Sequence, residues 1–227
     1  MQELYTQTAP RANSVEVSKV LRNTYSLLAM TLAWSALTAG VSMAVGVGYG
    51  LALIMNLGAL LLLWLVLPRT ANSSAGLLVV FAFTGLLGAG LGPMLSHYLA
   101  LPNGGAMIMQ ALGLTALVFL GLSGYVLTTG KDFSFMGGFL MAGLMVVLFS
   151  MLGMFIAGFF GVAITGFSLA ISGAIVLLMS GFILFDTSRI IHGGETNYLW
   201  ATTALYLDIL NLFTSLLHLI SAFSGDD

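Results

Sequence analysis

The sequence predicts an all-α fold: a polytopic membrane protein of seven transmembrane helices, with the seventh central in the bundle. Three observations predict it. The 227 residues are 59% hydrophobic and only 6% charged, too little charge to cover the surface of a soluble domain. Mean hydropathy is +1.07. Seven apolar segments each approach the roughly 20 residues a helix needs to cross the hydrocarbon, and the basic residues fall at alternate breaks between them.

The segments run approximately 24–46, 49–67, 75–96, 105–128, 135–159, 163–186 and 199–222. Turn chemistry separates them: Gly46-Val47-Gly48, Pro68-Arg69-Thr70-Ala71-Asn72, Leu101-Pro102-Asn103-Gly104-Gly105, Gly130-Lys131-Asp132 and His192-Gly193-Gly194. The stretch 158–166, with Gly158, Gly161 and Gly166, is a weaker break, and a six-helix chain with one long segment there is the alternative. Arg11, Lys19 and Arg22 precede the first helix, Arg69 follows the second, Lys131 the fourth and Arg189 the sixth. With seven spans all of these lie on one side, which the positive-inside rule makes cytoplasmic. The expected organisation is a cytoplasmic tail over 1–23, the helical domain over 24–222 and a short periplasmic end over 223–227. The first 23 residues carry Glu3, Arg11, Glu16, Lys19 and Arg22 and no apolar core, so no cleavable signal peptide is expected.

Composition excludes several chemistries. The chain has no cysteine, which removes disulfides, thiolate nucleophiles, Cys-ligated zinc and iron–sulfur clusters. A net charge of −2 without a basic block gives no footprint for nucleic acid. His97, His192 and His218 share no helical spacing, which argues against a histidine metal site. The scattered methionines read as core filler. Glycine groups such as Gly88-Ala89-Gly90-Leu91-Gly92 and Gly121-Leu122-Ser123-Gly124 lie inside apolar spans, with no preceding strand and no following lysine. They are therefore read as close helix contacts, Gly88 and Gly92 forming a small-xxx-small pair, and not as phosphate loops.

Two helices carry polar stripes. In the first, Thr24, Thr31, Ser35, Thr38 and Ser42 share a face, and a packing role is preferred for them, because Ser and Thr can bond helix carbonyls. In the seventh, Asp208, Asn211, Ser215 and His218 do the same. An Asp and an Asn are harder to hide from lipid, so this helix is placed at the centre of the bundle.

Asp186 and Asp208 are the sharpest functional lead. Each sits in an apolar helix, where a carboxylate at the bilayer centre costs roughly 3 kcal/mol. Asp186 lies toward the cytoplasmic end of the sixth helix and Asp208 about 15 Å into the seventh, an antiparallel neighbour. Two like charges close together in a dry site cannot both ionise easily, so the pair is expected to share a proton. Three uses follow. One is a pH-gated cation path with weak calcium binding, in which Thr187, Asn211 and water supplement the four carboxylate oxygens. Another is intramembrane aspartyl proteolysis, which the absence of a Gly-x-Gly-Asp motif disfavours: Asp208 follows Leu205-Tyr206-Leu207. The last is structural, with Arg69 or Arg189 as counter-ion.

The chain resembles the Bax inhibitor-1 family almost end to end. The resemblance rests on Lys19-Val20-Leu21-Arg22-Asn23-Thr24-Tyr25, Phe81-Ala82-Phe83-Thr84-Gly85, Tyr125-Val126-Leu127-Thr128-Thr129 with Lys131-Asp132-Phe133-Ser134, and most specifically Ile190-Ile191-His192-Gly193-Gly194-Glu195-Thr196-Asn197-Tyr198. It implies a helical bundle around a central seventh helix, a bacterial inner-membrane location and a non-enzymatic role without a cofactor. In one branch the implied partner is the membrane-anchored ATP-dependent protease FtsH, whose degradation of membrane substrates the protein restrains, with residues 1–23 as the contact. In other bacterial members a pH-sensing aspartate pair gates a calcium leak. Asp186 and Asp208 match those positions, the second within Leu205-Tyr206-Leu207-Asp208-Ile209-Leu210-Asn211. A basic latch on the second or third helix belongs to that mechanism, and Arg69 is the candidate for it.

Overall fold

The computed structural model describes residues 14–160 and 165–224, and every regular element among them is helical. Helix α1 is Ser14–Ala44. Helix α2 starts as Tyr49–Leu61, passes through a π-helical turn, Leu62–Val66, and ends as Leu67–Thr70. Helices α3, Ala75–Leu99, and α4, Gly104–Thr129, follow. A 3₁₀ turn, Ser134–Met136, leads into α5, Gly137–Phe159. Helices α6, Thr165–Ile191, and α7, Tyr198–Ser224, complete the chain. Among the described residues seven helices are long and apolar enough to cross a membrane, so the chain is an all-α polytopic membrane protein.

Three boundaries differ from the sequence expectation. Helix α1 begins ten residues early, at Ser14, so residues 14–23 of the expected tail are helical; residues 1–13 lie outside the described region. The cause is an amphipathic start. Val20, Leu21 and Tyr25 pack on the core, while Glu16, Lys19 and Arg22 are exposed, a pattern a search for continuous apolar runs misses. Helix α2 continues past Pro68, which has no N–H to offer Trp64; the π turn just before it widens the ladder where that bond is lost. Helix α6 runs on to Ile191, because Thr187, Ser188 and Ile190 are all buried at 1% exposure or less. Tertiary packing carries the helix beyond its apolar run. Of the weaker break, Gly161 lies outside the described residues, while the ends of α5 and α6 flank it.

Helix α7 is the axis. It packs against α6, α4, α1 and α3, and 50% of its membrane window is buried within the protein, against 11% for α5. Among the spans, α5 touches α6 alone, and α2 leans on α3. The main core joins Phe83, Phe119, Leu140, Ile183, Leu205, Tyr206 and Leu212 from five helices.

The α1 stripe faces inward as packing glue. Thr24, Thr31, Ser35 and Ser42 are buried. Ser35 Oγ donates to Thr84 O of α3 at 2.7 Å, and Ser42 Oγ to Ala89 O at 2.7 Å. Such bonds need close backbones, which Gly88 and Gly92 allow: a Cβ on Gly88 would lie 2.7 Å from Ser35 Cα, and one on Gly92 2.6 Å from Ser42 Cβ. Gly121 and Gly124 do not share that role. A Cβ on either would meet nothing within 4 Å, because α4 turns this face away from its neighbours. Their expected helix contact is therefore corrected.

Candidate functional site

The α6–α7 connection is built by local turn chemistry. Gly193 adopts φ +74°, a left-handed conformation that glycine takes without strain. This lets Gly194 N and Glu195 N both bond Arg189 O, at 2.8 and 3.1 Å. Asn197 then caps α7: its Oδ1 accepts from Leu199 N at 2.8 Å, and its Nδ2 donates to Ala71 O at 2.9 Å and Asn72 Oδ1 at 3.0 Å. The start of α7 is thereby tied to the turn between α2 and α3. This anchor was not anticipated, since Asn197 read only as part of a loop.

Because α6 extends to Ile191, Asp186 sits more than one turn inside the helix, not at its end. The aspartates come together. The Asp186 and Asp208 side chains lie close enough to act on one another electrostatically, with residue exposures of 9% and 6%. Among the described residues Asp208 Oδ2 is buried without a hydrogen-bond partner, an oxygen that a proton or cation would satisfy. Arg189, one turn after Asp186, places Nη1 3.8 Å from Asp186 Oδ1.

The expected helpers are mostly elsewhere. Thr187 Oγ1 points toward Ser123 of α4, at 3.4 Å, and Ser123 in turn bonds Tyr25 OH of α1. Asn211 is exposed, and its Nδ2 donates to Leu207 O of its own helix at 2.8 Å. Three residues past Asp208 is 60° short of a full turn, enough to carry Asn211 to the rim of the stripe. Arg69 Nη1 donates to Leu65 O one turn back, on an exposed helix end; of the two expected counter-ions, Arg189 pairs with the acids and Arg69 does not. Ser215 is buried, as expected. His218 Nδ1 lies 2.8 Å from Ser172 Oγ of α6, a pairing within the bundle.

A second polar cluster lies on another face of α6. Ser188 Oγ accepts from Phe133 N at 2.8 Å and donates to Asp132 Oδ1 at 3.2 Å. Asp132 Oδ1 also accepts from Ser134 N at 2.8 Å, and His192 Nδ1 bonds Ser188 O at 2.9 Å. Hydrogen bonds from the Ser134 side chain and amide, then from Ser188, with the His192 charge last, hold the Asp132 carboxyl below its ordinary value of 3.8. The sequence marked Lys131-Asp132 only as a break. The signal lay in the Asp-x-Ser spacing, which favours an Asx turn.

Two cavities lie in this part of the protein. A groove of about 250 Å³ opens between α1, α3, α4 and α7, lined by Ala36, Gly40, Leu91, Thr115 and Phe213 among others. Asp208 points to the opposite side of α7 and does not line it. On the basic face, a vestibule of about 430 Å³ is lined by Glu16, Lys19, Asn23, Ile190, Glu195 and Tyr198. Ile190 stands one turn beyond Asp186.

The family model described as "Inhibitor of apoptosis-promoting Bax1" matches residues 17–225. The chain belongs to the Bax inhibitor-1 family. A membrane protein of Vibrio cholerae is 51% identical over 224 residues, covering 99% of this chain and 98% of its own. A Pseudomonas aeruginosa protein is 48% identical over 226 residues, covering 100% and 99%. The Escherichia coli K12 protein named "Modulator of FtsH protease YccA" is 46% identical over 229 residues, covering 100% of both chains.

Proposed function

We propose that this protein is an inner-membrane modulator of FtsH that restrains the protease's action on membrane substrates, with its N-terminus in the cytoplasm and its C-terminus in the periplasm. The observation that carries this reading is the 46% identity, over the full length of both chains, to the Escherichia coli protein of that name. The amphipathic start of α1 supports the cytoplasmic contact: Glu16, Lys19 and Arg22 stand exposed there. Affinity purification of the full chain from detergent-solubilised membranes should retain FtsH, and deletion should accelerate turnover of a membrane substrate. Absence of both effects would remove the reading.

The geometry favours a second role that the same bundle can carry, a pH-dependent calcium leak through Asp186 and Asp208. Its support is the nearness of two buried carboxyls on adjacent helices. A hydrogen bond between two carboxyls requires one of them to keep a proton. Protonated, the pair latches α6 to α7. Deprotonated, it repels itself and offers up to four oxygens to Ca²⁺, which takes six to eight. Water must supply the rest, since Thr187 and Asn211 turn elsewhere, so binding is weak. In proteoliposomes, Asp208→Asn should abolish the pH dependence of calcium flux. Wild-type flux equal to that of empty vesicles would sink the idea.

A further inference from the structure

Among the described residues, the acid pair meets one cation, and the chain supplies it. Arg189 Nη1 lies 3.8 Å from Asp186, while Nη2 of the same guanidinium lies 3.5 Å from Glu195 Oε2. The guanidinium also lies over the Phe185 ring, 5.6 Å from its centroid. Arg189 is thus shared between a buried acid and a second acid nearer the basic face.

The two acids are held differently. Glu195 Oε1 accepts from Asn197 N at 2.9 Å, and Asn197 is anchored to the α2–α3 turn and to α7 as described above. The Glu195 backbone is fixed by its bond to Arg189 O. Glu195 lines the open vestibule. The Arg189 side chain is 37% exposed, against 11% for Asp186. Water therefore screens the arginine, and both contacts are long, near the limit for an ion pair. The guanidinium can leave Asp186 without losing all its partners, because Glu195 is already in reach.

We propose that Arg189 is a tethered counter-cation of the Asp186–Asp208 pair, and that a free divalent cation reaches these carboxyls only by displacing it onto Glu195. The inference rests on reading the pair as a cation site. Arg189 then sets the affinity and selectivity of that site. A cation must outcompete a guanidinium that costs nothing to bring in, and Glu195 lowers the cost of exchange by keeping the displaced charge paired. Glu195 is a positioning residue here, not a ligand: no group of three or more acidic or histidine side chains converges as a metal site among the described residues. The remaining nearby charges fall elsewhere. Glu16 and Lys19 line the vestibule, and Asp132 and His192 bond Ser188.

The test uses Ca²⁺ itself, titrated calorimetrically into the purified full-length protein in nanodiscs, beside flux measured in proteoliposomes. Arg189→Gln should tighten Ca²⁺ binding about tenfold, since it removes a competing charge at contact distance, and Arg189→Lys should bind close to wild type. Glu195→Gln should weaken binding, because the displaced arginine loses its second partner. Asp186→Asn together with Arg189→Gln should show no gain. Opposite signs at positions 189 and 195 are a pattern that general loss of folding does not produce. Unchanged binding in Arg189→Gln, shifts of the same sign at both positions, or no binding in any variant would each overturn the proposal. Shifted binding with no flux in any variant would uphold the counter-cation and remove the leak. Normal flux with unshifted binding would do the reverse.

Discussion

The α1–α3 seam and the α6–α7 junction both bury polar groups between helices, and they do so in opposite ways. In the seam every group is neutral. Ser35 and Ser42 donate to carbonyls of α3, Tyr206 OH lies 2.6 Å from Ser35 Oγ, and glycines bring the backbones together. At the junction the groups are ionisable, Asp208 Oδ2 has no hydrogen-bond partner among the described residues, and the cation beside Asp186 is shared with another acid. A neutral seam whose Ser35 and Ser42 hydroxyls are paired has one low-energy arrangement. An under-satisfied charged junction has several, differing by a proton or an ion. The first kind of contact builds the bundle, and the second can switch.

The largest expected effect tests the seam. Gly88→Leu should cost about 3 kcal/mol, because its Cβ would meet the α1 backbone at Ser35, which cannot yield as the Thr38 side chain beside it can. The check is a lower thermal unfolding midpoint in detergent. Gly121→Leu is the control and should stay within about 0.5 kcal/mol, as that face is open. Equal losses at both sites would erase the distinction drawn for the seam. At the junction the expectation inverts. Asp208→Asn should leave the unfolding midpoint unchanged or higher, since a buried, poorly paired acid contributes little stability, while the pH dependence of flux disappears. A large drop in midpoint would make the pair structural.

The smallest effect concerns Asp132, whose carboxyl is depressed by its bonds to Ser134 and Ser188. A depressed folded value means that the contribution is fully present above the ordinary value of 3.8 and is lost as pH falls through the lower folded value. Amide protection at Phe133 and Ser134, read by hydrogen exchange, should hold from neutral pH to about pH 4 and then fall. In Asp132→Asn it should be weak throughout. Protection in that variant that still declines with acid would assign the effect to another group.

Much of the fold was legible because the bilayer punishes charge and unpaired backbone alike. Seven apolar runs, punctuated by Gly130, Asn103 and Gly193, were enough to place the helices, and the α7 stripe was enough to put that helix at the centre. The ends of the helices were less legible. Residues 14–23 and 187–191 are helical through contacts with other helices, and those contacts leave no continuous apolar run. The two acids were legible as an anomaly. Their helpers were not: Asn211 and Thr187 sit close to them in sequence, but 60° or 100° of helical rotation sends each to a different neighbour.

The sequence by itself determined that this chain spans a membrane as a helical bundle and that Asp186 and Asp208 are its costly residues, because composition and charge placement are read by the bilayer one segment at a time. Only the tertiary structure decided that the two buried acids come near one another, that Arg189 and not Arg69 stands beside Asp186, and that Glu195 holds the other side of that arginine. Those facts depend on the rotation and depth of α6 against α7. The packing of buried Thr187, Ser188 and Ile190 and the Asn197 anchor fix that register, and neither can be read from a single helix.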